Sequence, residues 1–177
     1  MEKLERLNRE LMYKGAIIDL YKDTIKTPDG KIEYYDFIKH QGAAAVIPVR
    51  DDGKILMVKQ YRNALDRFTI EIPAGGLQNA NEPTKDAAAR ELEEETGYRS
   101  DDLELLITVR TTIAFCNEKI DIYVAKNLVK TEQHLDEGEY VDVLEFTIDE
   151  LVQMVMNGTI EDSKTISAIL AFDKKYN

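Results

Sequence analysis

The stretch GGLQNANEPTKDAAARELEEETGY, Gly75 to Tyr98, places Glu91, Glu93, Glu94 and Glu95 directly after Arg90. Pro83 suits a first helical turn and Gly97 suits the left-handed residue past a helix end, so the spacing predicts a helix between them. At about 100° per residue, Ala88 and Leu92 share a face that must be buried, with Ala89 beside them. Glu95 falls almost in line with Ala88, and Glu91 is one step round from it. Two carboxylates therefore stand at the border of the core and point the same way. Glu94 lies one turn from Glu91 on the outer side, where Arg90 also reaches it. Glu93 reads as an ordinary solvated position. Aligned like charges repel, and burying them without a partner is costly. A divalent cation is the economical partner, and a donor set of carboxylates alone favours a hard ion, Mg2+ or alternatively Mn2+.

Composition narrows what such a helix can serve. A chain of 177 residues with 44% hydrophobic residues can bury one domain-sized core and carry an appendage. Its formal charge of -11 excludes a nucleic-acid or membrane binder that relies on broad electrostatic attraction. The single Cys116 leaves no intrachain disulfide, and His40 and His134 are too few for a histidine-built zinc site. The start MEKLERLNRELMYKG lacks an apolar core with a cleavage site, and no run reads as a bilayer span. The expectation is a soluble protein of the reducing cytoplasm.

The pattern outside the acidic helix is mixed α+β. Residues 16–26 and 31–39 read as two strands joined by the turn TPDG, an N-terminal β arm over residues 1–41. AAAVIPVR and KILMVKQYR flank DDG and read as a second hairpin of core strands. Short strands are expected at about 103–110, 119–126 and 140–147. Two helices close the chain: TIDELVQMVMNG, where Thr147 and Glu150 form a capping-box pattern, and SKTISAILAFDKK. A compact domain over residues 42–177 follows the arm.

At the acidic helix the chain resembles a known family. From Gly76 the spacing runs five residues to Glu82, seven more, then Arg90-Glu91-Leu92-Glu93-Glu94-Glu95-Thr96-Gly97-Tyr98. This is similar to the complete signature of the Nudix hydrolases, and seven fixed positions match by chance in on the order of one window in 10⁸. The resemblance implies an α/β/α sandwich with a mixed β-sheet and hydrolysis of a nucleoside diphosphate linked to another group. It implies that Glu91 and Glu95 ligate metal, with Glu94 as a further or water-bridged ligand, and that Arg90 and Glu82 orient these carboxylates. A backbone carbonyl near the first glycine completes such a shell, here that of Ala74 or Gly75.

TIEIPAGG, VKQYR and the arm are similar to ADP-ribose pyrophosphatases and their ADP-sugar relatives, so the resemblance covers most of the chain. On that basis Arg62 matches a position that contacts a substrate phosphate, and the substrate is a nucleoside diphosphate sugar, foremost ADP-ribose. One departure stands out: subfamily members often carry a proline where this chain has Ile113 and Ala114, which keeps other nucleotide sugars, such as a GDP-linked one, in play. In HLDEGEYVDV, Glu137 matches the general base of these enzymes and Glu139 competes with it. Tyr21, Tyr34 and Tyr35 read as strand-face residues or as adenine-stacking groups. The arm of related pyrophosphatases packs across a homodimer, and a homodimer is the expectation here.

Overall fold

The computed structural model describes residues 2–79 and 81–177. The chain divides into two compact units: residues up to Gly42 together with Arg110–Lys119, and Ala43–Val109 together with Ile120–Asn177.

The first unit holds an antiparallel sheet of β1 (Glu5–Lys14), β2 (Asp19–Lys26) and β3 (Ile32–Lys39) in that order. The TPDG turn joins β2 to β3, with Gly30 at φ 84° and its N–H donating to Thr27 O. Two strands were expected and three are found. ERLNRELMYK, the sequence of β1, is exposed along almost its whole length, so it lacks the alternation that marks a half-buried strand. It is held by its ladder to β2 and by Arg9, whose Nε and Nη2 both donate to the Asp23 carboxylate at 2.6 Å. The Arg9 guanidinium also lies 3.6 Å from the Phe37 ring centroid. Arg110–Lys119 attaches at β3 through Ile38 and Cys116, and Asn117 hydrogen-bonds the His40 backbone in both directions.

In the second unit, β4 (Ala43–Pro48) is buried at every residue. It leads through the DDG turn to β5 (Ile55–Arg62), followed by β6 (Arg67–Glu71) and β7 (Ala74–Gly76). The expected hairpin is not formed. DDG makes a tight turn, with Gly53 N–H donating to Arg50 O, but β4 and β5 share a single bridge, Val49 with Ile55, and then diverge into different sheets. Pro48 has no N–H with which to continue that ladder. Next come α1 (Thr84–Thr96), β8 (Tyr98–Arg99), β9 (Asp102–Val109), β10 (Ile120–Lys126), β11 (Val129–Lys130), β12 (Val141–Phe146), α2 (Ile148–Met156) and α3 (Ser163–Tyr176). One sheet runs β7-β4-β10-β9, with β4 and β10 parallel and the other pairs antiparallel; a second runs β12-β5-β6, and β11 pairs with β8 in a short two-stranded one.

The alternation of β4 and β10 feeds two cores. Ala43, Ala45, Ile47, Ile120, Ile122 and Val124 pack with Ile55 and Met57 of β5 and with Leu151, Ala168, Ile169 and Phe172 of α2 and α3. Ala44, Val46, Tyr123 and Ala125 face the other way and pack on Ala87, Ala88 and Leu92 of α1. Burial on both faces explains why β4 reads as a continuous apolar run. The result is the mixed α+β sandwich, with helices on either side of the sheets. Capping follows the sequence: Thr147 and Glu150 close a capping box at α2, and Gly97 ends α1 at φ 67°. Pro83 lies one position earlier than expected, as the extended N-cap of α1.

Candidate active site

The start of α1 is pinned by polar groups within its own core. Thr84 Oγ1 donates to Asp121 Oδ2 at 2.9 Å, and Thr108 Oγ1 donates to the other oxygen of the same buried carboxylate at 2.6 Å. With the rotation of the helix fixed there and at Leu92, Glu91 and Glu95 turn inward and are 8% and 4% exposed.

Arg90 gathers Glu91 and the outer carboxylates Glu94 and Glu82. Its Nη1 donates to Glu91 Oε1 at 2.6 Å and to Glu94 Oε2 at 2.8 Å, its Nε lies 3.4 Å from Glu82 Oε1, and its Nη2 donates to Gly76 O at 3.2 Å. Glu82 in turn accepts the Gln78 N–H at 2.5 Å. β7 passes directly beneath: a Cβ built on Gly75 would sit 2.1 Å from Glu91 Oε1. Ala74 N–H donates to Glu95 Oε2 at 3.0 Å. Thus Gly75 meets Glu91 and Ala74 meets Glu95.

The electrostatics separate the two inner carboxyls from ordinary ones. Burial pushes Glu91 up to about 6, against the pull of Arg90. Burial and then the neighbouring Glu91 push Glu95 up to about 8, against the Ala74 N–H and the charge of Arg62. The charge of Glu139 raises both. Glu139 sits in the loop before β12, in a turn where its N–H donates to Asp136 O at 3.0 Å and Gly138 takes φ 89°. Glu137 is exposed on the same turn.

These features can be set beside known proteins. The NUDIX domain family matches residues 39–168. The chain belongs to the Nudix family. It is 41% identical over 165 residues to a methanol dehydrogenase activator of Bacillus methanolicus, covering 92% of this chain and 89% of that protein. It is 39% identical over 173 residues to an ADP-ribose pyrophosphatase of Bacillus subtilis, covering 96% and 93%. Among solved structures, a crystal structure of an ADP compounds hydrolase superposes with a TM-score of 0.87 at 19% identity, covering 98% of this chain and 94% of that one, a likeness of fold.

Nudix hydrolases generally need divalent metal ions. Among the described residues no three carboxylate, histidine or cysteine groups converge on one point; the Arg90 bonds draw Glu91 and Glu94 toward the guanidinium. The donor chemistry nevertheless fits such an ion. Glu95 is almost wholly buried, faces two other carboxylates, and receives one backbone N–H. An anion so placed lacks positive charge.

Arg62 lies in a second cluster. Its Nε and Nη2 donate to the two oxygens of Glu71 at 2.7 and 2.6 Å. Thr69 Oγ1 donates to Glu71 Oε1 at 2.7 Å, and Lys164 Nζ lies 2.5 Å from Glu71 Oε2 and 2.9 Å from Asp162 Oδ2. Burial acts to raise Glu71, but Arg62 and Lys164 outweigh it and hold the carboxyl at about 2. The cluster borders a cleft of about 460 Å³ lined by Arg62, Arg67, Thr69, Glu71, Asp162 and Lys164. Sequence reading did not single out Glu71. Its signal is a charged residue inside the apolar run of TIEIPAGG, a pattern that demands a buried partner.

Proposed function

We propose that this Nudix hydrolase splits the diphosphate of a nucleoside diphosphate sugar, ADP-ribose foremost, into AMP and ribose 5-phosphate. The observation that carries the reaction class is the pair Glu91 and Glu95, buried on one face of α1, with Glu95 short of positive charge. The choice of ADP-ribose is supported by near full-length similarity to an ADP-ribose pyrophosphatase.

Glu91, Glu95 and Glu94, with a backbone carbonyl of Ala74 or Gly75, would hold Mg2+, with Mn2+ as the alternative. When bound, the cation supplies the positive charge that offsets the anionic oxygens shielding phosphorus. Arg90 orients Glu91 and Glu94 through the bonds described above. The water oxygen forms a bond to one phosphorus as the bond from that phosphorus to the bridging oxygen breaks, and the water proton passes to a carboxylate of the 136–139 turn. Glu137 and Glu139 are the candidates for that base; Glu139 is favoured because its charge is felt at both Glu91 and Glu95. Arg62, fixed by Glu71 and within electrostatic reach of Glu95, is proposed to contact a substrate phosphate.

The arm is proposed to form a homodimer. In support, β1 is a ten-residue edge strand, and Leu7, Leu11, Tyr13, Ile32 and Tyr34 of this sheet are exposed. Among the described residues no helix is long and apolar enough to cross a membrane.

The deciding experiment is a phosphate-release panel of nucleoside diphosphate sugars, dinucleotides and nucleoside triphosphates, each with Mg2+ and with Mn2+. ADP-ribose is expected to show the highest kcat/KM. A GDP-linked sugar ahead of it would reassign the substrate, and no turnover with either ion would reduce the protein to a nucleotide sensor.

A further inference from the structure

The last turn of α1 ends in carbonyls that the helix cannot satisfy itself. The segment after β11 takes three carbonyls in this region: Thr131 N–H donates to Gly97 O at 2.8 Å, Gln133 Nε2 to Glu95 O at 2.6 Å, and His134 N–H to Glu94 O at 3.0 Å. The approach is close, since a Cβ on Gly97 would lie 2.9 Å from Gln133 N. Gln133 differs from its neighbours because the same side-chain nitrogen also reaches Val141 O, at 3.3 Å, where β12 begins. One amide, on the segment that leads into the arc 135–140, thus ties α1 to the residue at which that arc ends, and the arc carries the acidic turn.

We propose that Gln133 is a positioning residue: its amide clamps the arc between α1 and Val141 and so sets how far the acidic turn reaches toward the carboxylates of α1. The inference rests on the hydrolase reading above. Backbone bonds from Thr131 and His134 hold the first end whatever side chain stands at 133, and the pairing of Val141 with Gln60 holds the second. Loss of the amide therefore spares the fold and loosens only the arc 135–140, which the amide braces from α1 to Val141.

The test compares the full-length chain with Gln133→Ala and with Gln133→Glu, which keeps the length and removes the donor. Hydrogen exchange of the metal-free proteins is expected to accelerate about tenfold in residues 135–140 of both variants, with α1 unchanged. On ADP-ribose with Mg2+, kcat is expected to fall about tenfold while KM stays within about twofold. Unchanged exchange in the arc overturns the clamp, and so does accelerated exchange in α1 with a parallel loss of melting temperature, which marks a merely structural residue. If the wild type fails to hydrolyse ADP-ribose, the substrate reading falls separately, and the exchange result alone decides the clamp.

Discussion

Glu71 and Glu95 belong to the same unit, are buried to nearly the same degree, 3% and 4% exposed, and titrate on opposite sides of the ordinary carboxylate range, at about 2 and about 8. The difference is the supply of positive charge. Glu71 receives a bidentate arginine, a lysine and a hydroxyl; Glu95 receives one backbone N–H and faces Glu91 and Glu139. Burial of a carboxylate therefore says little about its role until its partners are counted. The Glu71 cluster is complete in itself, whereas Glu95 is left short of positive charge.

Removing the charge of Glu71 should have the largest effect. Glu71→Gln leaves the largely buried Lys164 and the part-exposed Arg62 without their shared anion, and such a broken pair costs about 3–5 kcal/mol. Denaturant unfolding should show this loss with an unchanged m value, and KM should rise as Arg62 loses its anchor. A variant as stable as the wild type would remove the cluster from the account of stability.

Glu95→Gln should behave in the opposite sense. Turnover is expected to fall at least about a hundredfold, or about 2.7 kcal/mol of transition-state stabilisation. Metal-free stability at pH 8 should hold or rise, because the amide removes an uncompensated charge. Mg2+ should raise the melting temperature of the wild type more than that of the variant. Wild-type turnover at saturating Mg2+ in the variant would break the metal assignment.

The pH dependence of the metal-free protein is the finest measure of the contrast. The carboxyl of Glu71 is lowered on folding, from an ordinary 4.5 to about 2, so its contribution is present above pH 4.5 and is lost as pH falls toward 2. The carboxyl of Glu95 is raised, from 4.5 to about 8, so the folded state holds its proton longer than the unfolded one, and stability declines as pH rises between those values. The melting temperature should therefore decline between pH 5 and pH 8 without metal, by on the order of 10 °C. The decline should vanish with Mg2+ and shrink in Glu95→Gln to the part that Glu91 contributes. A flat profile in the metal-free wild type would show that Glu95 is better solvated than its burial implies.

The two clusters were not equally legible in the sequence. The α1 carboxylates could be placed because everything needed lies within one helix: Ala88 and Leu92 fix the buried face, Gly97 fixes the end, and Glu91 and Glu95 follow by rotation. The Glu71 cluster depends on Lys164, 93 residues away, and no local pattern announces such a partner. The same reasoning accounts for the strands. β4 and β5 were visible through their apolar runs, but a tight DDG turn says only that the chain reverses, and pairing of the flanking strands was settled by burial of β4 between β7 and β10. β1 escaped notice because a strand exposed on both faces has no alternation to read. Gln133 was equally hidden, since its partners are backbone carbonyls.

Gly75 carries a practical consequence for anyone stiffening this enzyme. Its backbone does not lie in the left-handed region, so by the usual criterion for exchanging glycine to alanine it is an acceptable position for loop or strand rigidification. The obstacle is the Glu91 carboxylate, which fills the space an alanine methyl would take. A library ranked on backbone torsions alone would thus admit a substitution whose first effect is to push a proposed metal ligand off its place. Such a variant would keep its fold and lose its chemistry, and a screen reading only solubility or melting temperature would not see it.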